Sequence, residues 1–138
     1  MATPVALVPG KSYITQAGYI GERLAVVAGV NLKTVGTTLI YTVPAGVTAL
    51  FTMAFVEITA ATAITVGATG GLGIAAGEAD VFAPVVFTGV LAAGQVWGFQ
   101  TAGLTRTGPA ASVVRYGNDV AATGTSQTAR VHLFGFLF

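Results

Sequence analysis

The chain is short of charge. Only 8% of its 138 residues are Asp, Glu, Lys or Arg, where an ordinary soluble domain carries about 25%. The six basic residues are scattered and the formal net charge is +1. No basic stripe marks a nucleic-acid partner. There is no cysteine, which excludes disulfides, thiol catalysis and zinc–thiolate sites and is compatible with synthesis in a reducing cytoplasm. His132 is the single histidine. Set between Val131 and Leu133, it reads as a packed or interfacial side chain rather than a general base. No segment repeats every 3.6 residues with caps at both ends. No nucleophile–base pair or metal-ligating constellation occurs, so the expectation is a protein that is not an enzyme and takes no cofactor.

Apolar residues fill the space left by charge. They make up 54% of the chain, alongside 19 glycines. A chain of this length forms one domain and buries roughly two thirds of its unfolded surface. A chain this poor in charge has little to prevent association, so a membrane or an oligomer that hides much of its surface is expected in preference to a soluble monomer with a surface of Ala, Thr and Gly. The stretch from Val81 to Thr105 is uncharged and long enough to span a bilayer. Yet Pro84, Gly89, Gly94, Gly98 and Gly103 interrupt it, and no Lys/Arg cluster or aromatic belt flanks it, which argues against a membrane. Met1-Ala2-Thr3-Pro4 opens no basic, then apolar leader, so no signal peptide is expected.

Runs rich in Val, Ile, Thr, Phe and Tyr, punctuated by Gly and Pro, predict strands. The clearest are Thr38–Val43, Val47–Thr59 and Thr128–Phe138, with further candidates at Ala63–Ala68, Val85–Thr88, Gln95–Thr101 and Ser112–Tyr116. Pro44-Ala45-Gly46 predicts a turn that folds the first two into a hairpin. In the last run Val131, Leu133 and Leu137 share one face, and Arg130, His132, Phe134, Phe136 and Phe138 share the other. A strand apolar on both faces is central in a two-layer fold or covered by another subunit. Many short strands at regular spacing predict an all-β jelly roll or β-sandwich over residues 37–138. Residues 1–36, cut up by Pro4, Pro9, Gly10, Gly18, Gly21, Gly29 and Gly36, are read as an extended N-terminal arm or an edge-strand segment, with Tyr13–Thr15 and Leu24–Val27 as its strand candidates.

Four local features bear on chemistry. Gly71, Gly73 and Ala76 fit a dinucleotide fingerprint, but Pro84 arrives too soon for the helix that would receive a pyrophosphate, and Gln95 stands where an acid belongs. The stretch Val66–Ala76 is therefore expected to be a flexible glycine-rich loop. Gly77–Ala83 is the best helical fragment, one or two turns, which Glu78 and Asp80 would cap or use to touch a cation. Glu57 breaks an apolar run and calls for a cross-strand or intersubunit Arg. Trp97 and Phe99 read as core packing in preference to a sugar-stacking platform.

Leu39-Ile40-Tyr41-Thr42-Val43-Pro44-Ala45-Gly46, followed by a long apolar strand, resembles the opening of small tailed-bacteriophage structural proteins. Ala129-Arg130-Val131-His132-Leu133-Phe134-Gly135-Phe136 resembles their closing strand. The two matches bracket positions 39–138. The resemblance implies a virion structural protein of the capsid decoration (cement) type: a homo-oligomer, most often a trimer, that sits on the capsid surface and ties subunits of the major capsid protein together. The alternative it leaves open is a tail or head-fibre module that binds a host-surface receptor or glycan. Under the decoration reading the expected oligomer and capsid interface comprises Tyr13, Ile14, Tyr19, Ile20, Leu24, Phe134, Phe136 and Phe138, with neither nucleic acid nor membrane as partner.

Overall fold

The computed structural model describes residues 21–89, 91–99 and 107–138. They form nine strands and, among the described residues, no helix: β1 (Glu22–Asn31), β2 (Gly36–Thr42), β3 (Ala49–Thr62), β4 (Thr69–Gly73), β5 (Phe82–Val86), β6 (Val96–Gly98), β7 (Thr107–Gly108), β8 (Val113–Val120) and β9 (Ser126–Leu137). No described helix is long and apolar enough to cross a membrane. The strands build two antiparallel sheets, one ordered β1-β9-β3-β6 with β7 also on β3, the other β2-β8-β4-β5. The pairs nest: β1 with β9, β2 with β8, β3 with β6, β4 with β5. A long antiparallel hairpin rolled up on itself gives this nesting, and the fold is a jelly roll.

The hairpin predicted across Pro44–Gly46 does not form. Both strands are present, but β2 and β3 lie in different sheets, and the turn, with Gly46 at φ +77°, carries the chain from one layer to the other. Ile40 and Val43 on one side, Ala49 and Phe51 on the other, are all buried. Facing each other across the interior lets both strands bury their apolar side against the opposite sheet. The first crossover, from β1 to β2, is pinned by polar groups. Asn118 donates from Nδ2 to the carbonyls of Leu32 (3.1 Å) and Thr34 (2.8 Å). Its Oδ1 accepts the Tyr116 hydroxyl at 3.0 Å. Burial, with Asp119 close by, pushes the Tyr116 phenol well above its ordinary range, so it stays a donor.

The glycine-rich stretch is not a flexible loop. Thr69–Gly73 is β4, an interior strand between β8 and β5, buried along nearly its whole length. Its glycines answer a steric demand. A Cβ on Gly71 would lie 2.8 Å from the Phe82 carbonyl oxygen, 2.9 Å from that of Glu78 and 2.9 Å from the Pro84 nitrogen. Side chains are absent so that the β4–β5 connection can lie against the strand. Nor is Gly77–Ala83 helical. Gly77 and Glu78 both turn through positive φ (95° and 44°) and β5 starts at Phe82. Asp80 closes this loop by accepting the backbone N–H groups of Ile74 (2.8 Å) and Ala75 (3.2 Å). Ala63–Ala68 contributes only an isolated bridge, Val66 with Thr123.

Residues 22–31 of the segment read as arm or edge strand form β1 at the edge of its sheet, and Val30 and Leu32 lie in the core. Residues 1–20 lie outside the described residues. The core holds Phe51, Val56 and Ile58 of β3, Val131 and Leu133 of β9, and Leu72, Phe82, Val114 and Tyr116 of the opposite sheet. Phe99 is buried between Phe82 and Phe87, with centroids 6.2 and 5.9 Å away, and Trp97 packs half-buried beside Phe87 at 6.5 Å.

Candidate functional site

The outer face of the β1-β9-β3-β6 sheet concentrates the side chains that the core does not use. β9 is central there, between β1 and β3. With Ala129, Val131 and Leu133 buried inward, period-two alternation turns Arg130, His132, Phe134 and Phe136 outward. β3 presents the partners. Its register sets Glu57 opposite Arg130, Phe55 opposite His132, Met53 opposite Phe134 and Leu50 opposite Phe136. From the edge, β1 sets Val26 opposite His132 and Arg23 opposite Phe134.

A β-bulge makes this face. The register of β3 against β9 shifts between Phe51 and Met53. Phe51 is buried inward, yet after the shift Ala54, Val56 and Ile58 take the inward positions, and Phe55 emerges on the outside. There its ring stacks on His132, centroids 4.2 Å apart and 18° from parallel, and lies 5.8 Å from Phe134. The aromatic strip ends in an ionic group. Glu57 meets Arg130 Nη1 at 3.1 Å and His132 Nε2 at 2.9 Å. The Arg demanded by Glu57 is thus cross-strand. His132, which is 8% exposed, is held by the ring beneath it and the carboxylate beside it.

The hydrogen bond from His132, with the Arg130 charge adding to it, holds the Glu57 carboxyl below its ordinary value. A depressed folded-state pKa contributes stability that is present above the unfolded value and lost as pH falls through the folded one. Glu57→Gln is therefore expected to be less stable than the natural chain at neutral pH, with the gap closing as pH falls below the usual carboxylate range. Urea melts from pH 7 down to pH 3 check this. A gap independent of pH would show that the carboxylate charge is not involved.

Of the eight interface residues expected from the sequence, Tyr13, Ile14, Tyr19 and Ile20 lie outside the described residues. Leu24 is half-buried and packs against the core. Phe134 and Phe136 lie on the outer face, and Phe138, 71% exposed, ends the chain beside Thr48 with two backbone hydrogen bonds. Phe55, Met53 and Val26 complete the patch without having been singled out in sequence. Val96, 54% exposed, extends it past Glu57. Among the described residues no three His, Asp or Glu side chains converge as metal ligands. A polar groove runs along Asn31, Thr34, Thr38 and Asn118, but the Asn118 amide is spent on its own crossover.

The fold has a solved relative. A chain of the "Cyanophage Pam1 capsid asymmetric unit" superposes with a TM-score of 0.55 at 20% identity, over 99% of this chain and 92% of that one. At this identity the likeness is one of fold. No protein-family model matches the chain, and no curated protein matches it either.

Proposed function

We propose that this chain is a structural, non-enzymatic virion protein that binds and stabilises a bacteriophage capsid as a decoration oligomer. The observation that carries the reading is the outer face of the β1-β9-β3-β6 sheet: an aromatic strip of Phe55 on β3 and Phe134 and Phe136 on β9, with the Glu57–Arg130 ion pair at one end. Cross-strand aromatic pairs stabilise a sheet modestly in a monomer; an interface that covers them gains far more, because buried aromatics dominate contact energetics. The fold shared with a chain of a phage capsid asymmetric unit, over nearly the full length of both, supports the virion setting. The major capsid protein and further copies of this chain are the partners, and the capsid surface is the location.

Binding of this kind rests on apolar burial at several contacts rather than on one tight site. With 8% charged residues, capsid attachment is expected to change little between low and high salt. Particles stripped of the protein should take it up again when it is added back, and cryo-EM should then place the jelly roll on the outside of the shell. Density confined to the tail would sink the decoration reading. Light scattering on the purified protein is expected to give a multiple of 13.8 kDa at micromolar concentration. A clean monomer would remove the oligomer from the proposal.

A further inference from the structure

We propose that two copies of this chain join edge to edge, β2 against β2, antiparallel about a two-fold axis at Thr37. The inference rests on the oligomeric role proposed above and names the contact that makes the oligomer. Among the described residues, one sheet ends in β1 on one side and in β6 and β7 on the other, and the second sheet ends in β2 and β5. An open edge offers a row of unpaired N–H and C=O groups, and natural edges are blunted by charge, proline, bulges or shortness. β1 carries Glu22 and Arg23 and breaks register twice. β5 holds Pro84, which has no N–H to offer. β6 and β7 are three and two residues long. β2 has neither charge nor proline over its seven residues. Its one register shift, between Leu39 and Tyr41, leaves Gly36, Thr37, Thr38 and Leu39 in unbroken register with β8. Of the four edges, β2 is the one left open.

The occupant that such an edge takes is a strand, and β2 matches itself. Val35 and Leu39, 62% and 56% exposed, are among the most exposed apolar side chains described. Antiparallel pairing about Thr37 sets Val35 of each copy opposite Leu39 of the other, and Thr37 opposite Thr37. Apolar and Thr–Thr pairs are favourable across strands. No charge is set against its like. Residues 34–43 contain none, and the Lys33 ammonium is turned onto its own chain, donating to the Ala122 carbonyl at 2.9 Å.

This symmetry also orients the rest of the molecule. Directly opposite residues of an antiparallel pair point to the same face, so the two-fold axis runs normal to the joined sheets. Both copies then turn the outer faces of their β1-β9-β3-β6 sheets, with Phe55, Phe134 and Phe136, to one side. A single capsid surface is gripped at two places, which raises avidity without any new contact. The contact builds a dimer or an even-numbered oligomer, in place of the trimer that the sequence resemblance implies.

The absence of cysteine makes the test direct. Full-length Thr37→Cys is expected to give a disulfide-linked dimer on mild oxidation, because directly opposite Cα atoms in an antiparallel pair lie about 4.5–5.5 Å apart, within disulfide reach. Val120→Cys, as exposed as Leu39 but on the interior strand β8, is expected to stay a single chain under the same oxidation. No dimer from Thr37→Cys, or as much dimer from Val120→Cys, overturns the proposal. Leu39→Lys supplies a second readout. It is expected to halve the oligomer mass in light scattering and to lower the amide-exchange protection of residues 36–39. Its thermal melt should match that of the natural chain, because the side chain it replaces is exposed. An unchanged mass, unchanged protection, or a natural chain at three times 13.8 kDa overturns the proposal. All of these measurements use purified protein, so a β2-joined dimer that fails to bind capsids keeps this inference and sinks the decoration role instead.

Discussion

Asn118→Leu is expected to lower the stability of the fold by about 1–3 kcal/mol, the usual cost of one polar group left buried without a partner. The amide holds the crossover between the two sheets. Without it the buried Tyr116 hydroxyl loses its acceptor and the Thr34 carbonyl loses its donor. The Leu32 carbonyl is less affected, because it also accepts the Ala122 N–H at 2.9 Å. Against a total of about 5–15 kcal/mol for a domain of this kind, the loss is large. Urea denaturation measures it, and a double-mutant cycle with Tyr116→Phe gives the coupling. Removing the hydroxyl as well should make the pair of substitutions cheaper than the sum of the two. A shift under about 0.5 kcal/mol for Asn118→Leu, the range of ordinary surface changes, would show that the crossover is held by its backbone alone.

Gly71→Ala should behave quite differently from Gly98→Ala, although both glycines sit in strands and neither needs a positive φ. The added methyl at position 71 meets backbone atoms of Phe82, Glu78 and Pro84 at 2.8–2.9 Å. Backbone cannot rotate aside as a side chain can. The β4–β5 connection must lift off the strand, at a cost of about 1–3 kcal/mol for overpacking and more with Gly71→Val. At position 98 the methyl meets nothing within 4 Å, and removing glycine's freedom in the unfolded chain stabilises by about 0.4–1 kcal/mol. Thermal melts of the two variants decide the matter. Equal shifts would mean that the β4–β5 connection is loose enough to absorb a methyl.

How much of this was readable beforehand differs from strand to strand. Thr38–Val43, Val47–Thr59, Ser112–Tyr116 and Thr128–Phe138 coincide with β2, β3, β8 and β9 to within a few residues, because each has side chains bulky and β-branched enough to declare a strand. β4 stayed hidden because Thr-Gly-Gly-Leu-Gly has almost no side chains from which to read a period. Its glycines look like turn residues, and only the packing of Glu78 and Phe82 over them reveals why side chains had to be absent. The two outward faces also differed in legibility. The alternation along β9 runs unbroken, so Phe134 and Phe136 could be placed on one side in advance. On β3 the alternation changes phase at the bulge after Phe51, and Phe55, which shares its parity with buried Phe51, lands on the opposite face.

Sequence alone therefore determined the all-β class, the scarcity of charge, the partner that Glu57 needs and the two-faced character of the last strand. These are properties of residue type and local period, which act over a few positions. Tertiary structure decided which strands share a sheet, that the Pro44–Gly46 turn crosses between layers instead of closing a hairpin, and that Phe55, His132 and Glu57 meet on one outer face. A strand's alternation says which side is apolar but not which strand lies beside it. That choice is made by burying all the apolar sides at once, between two sheets whose members come from opposite ends of the chain.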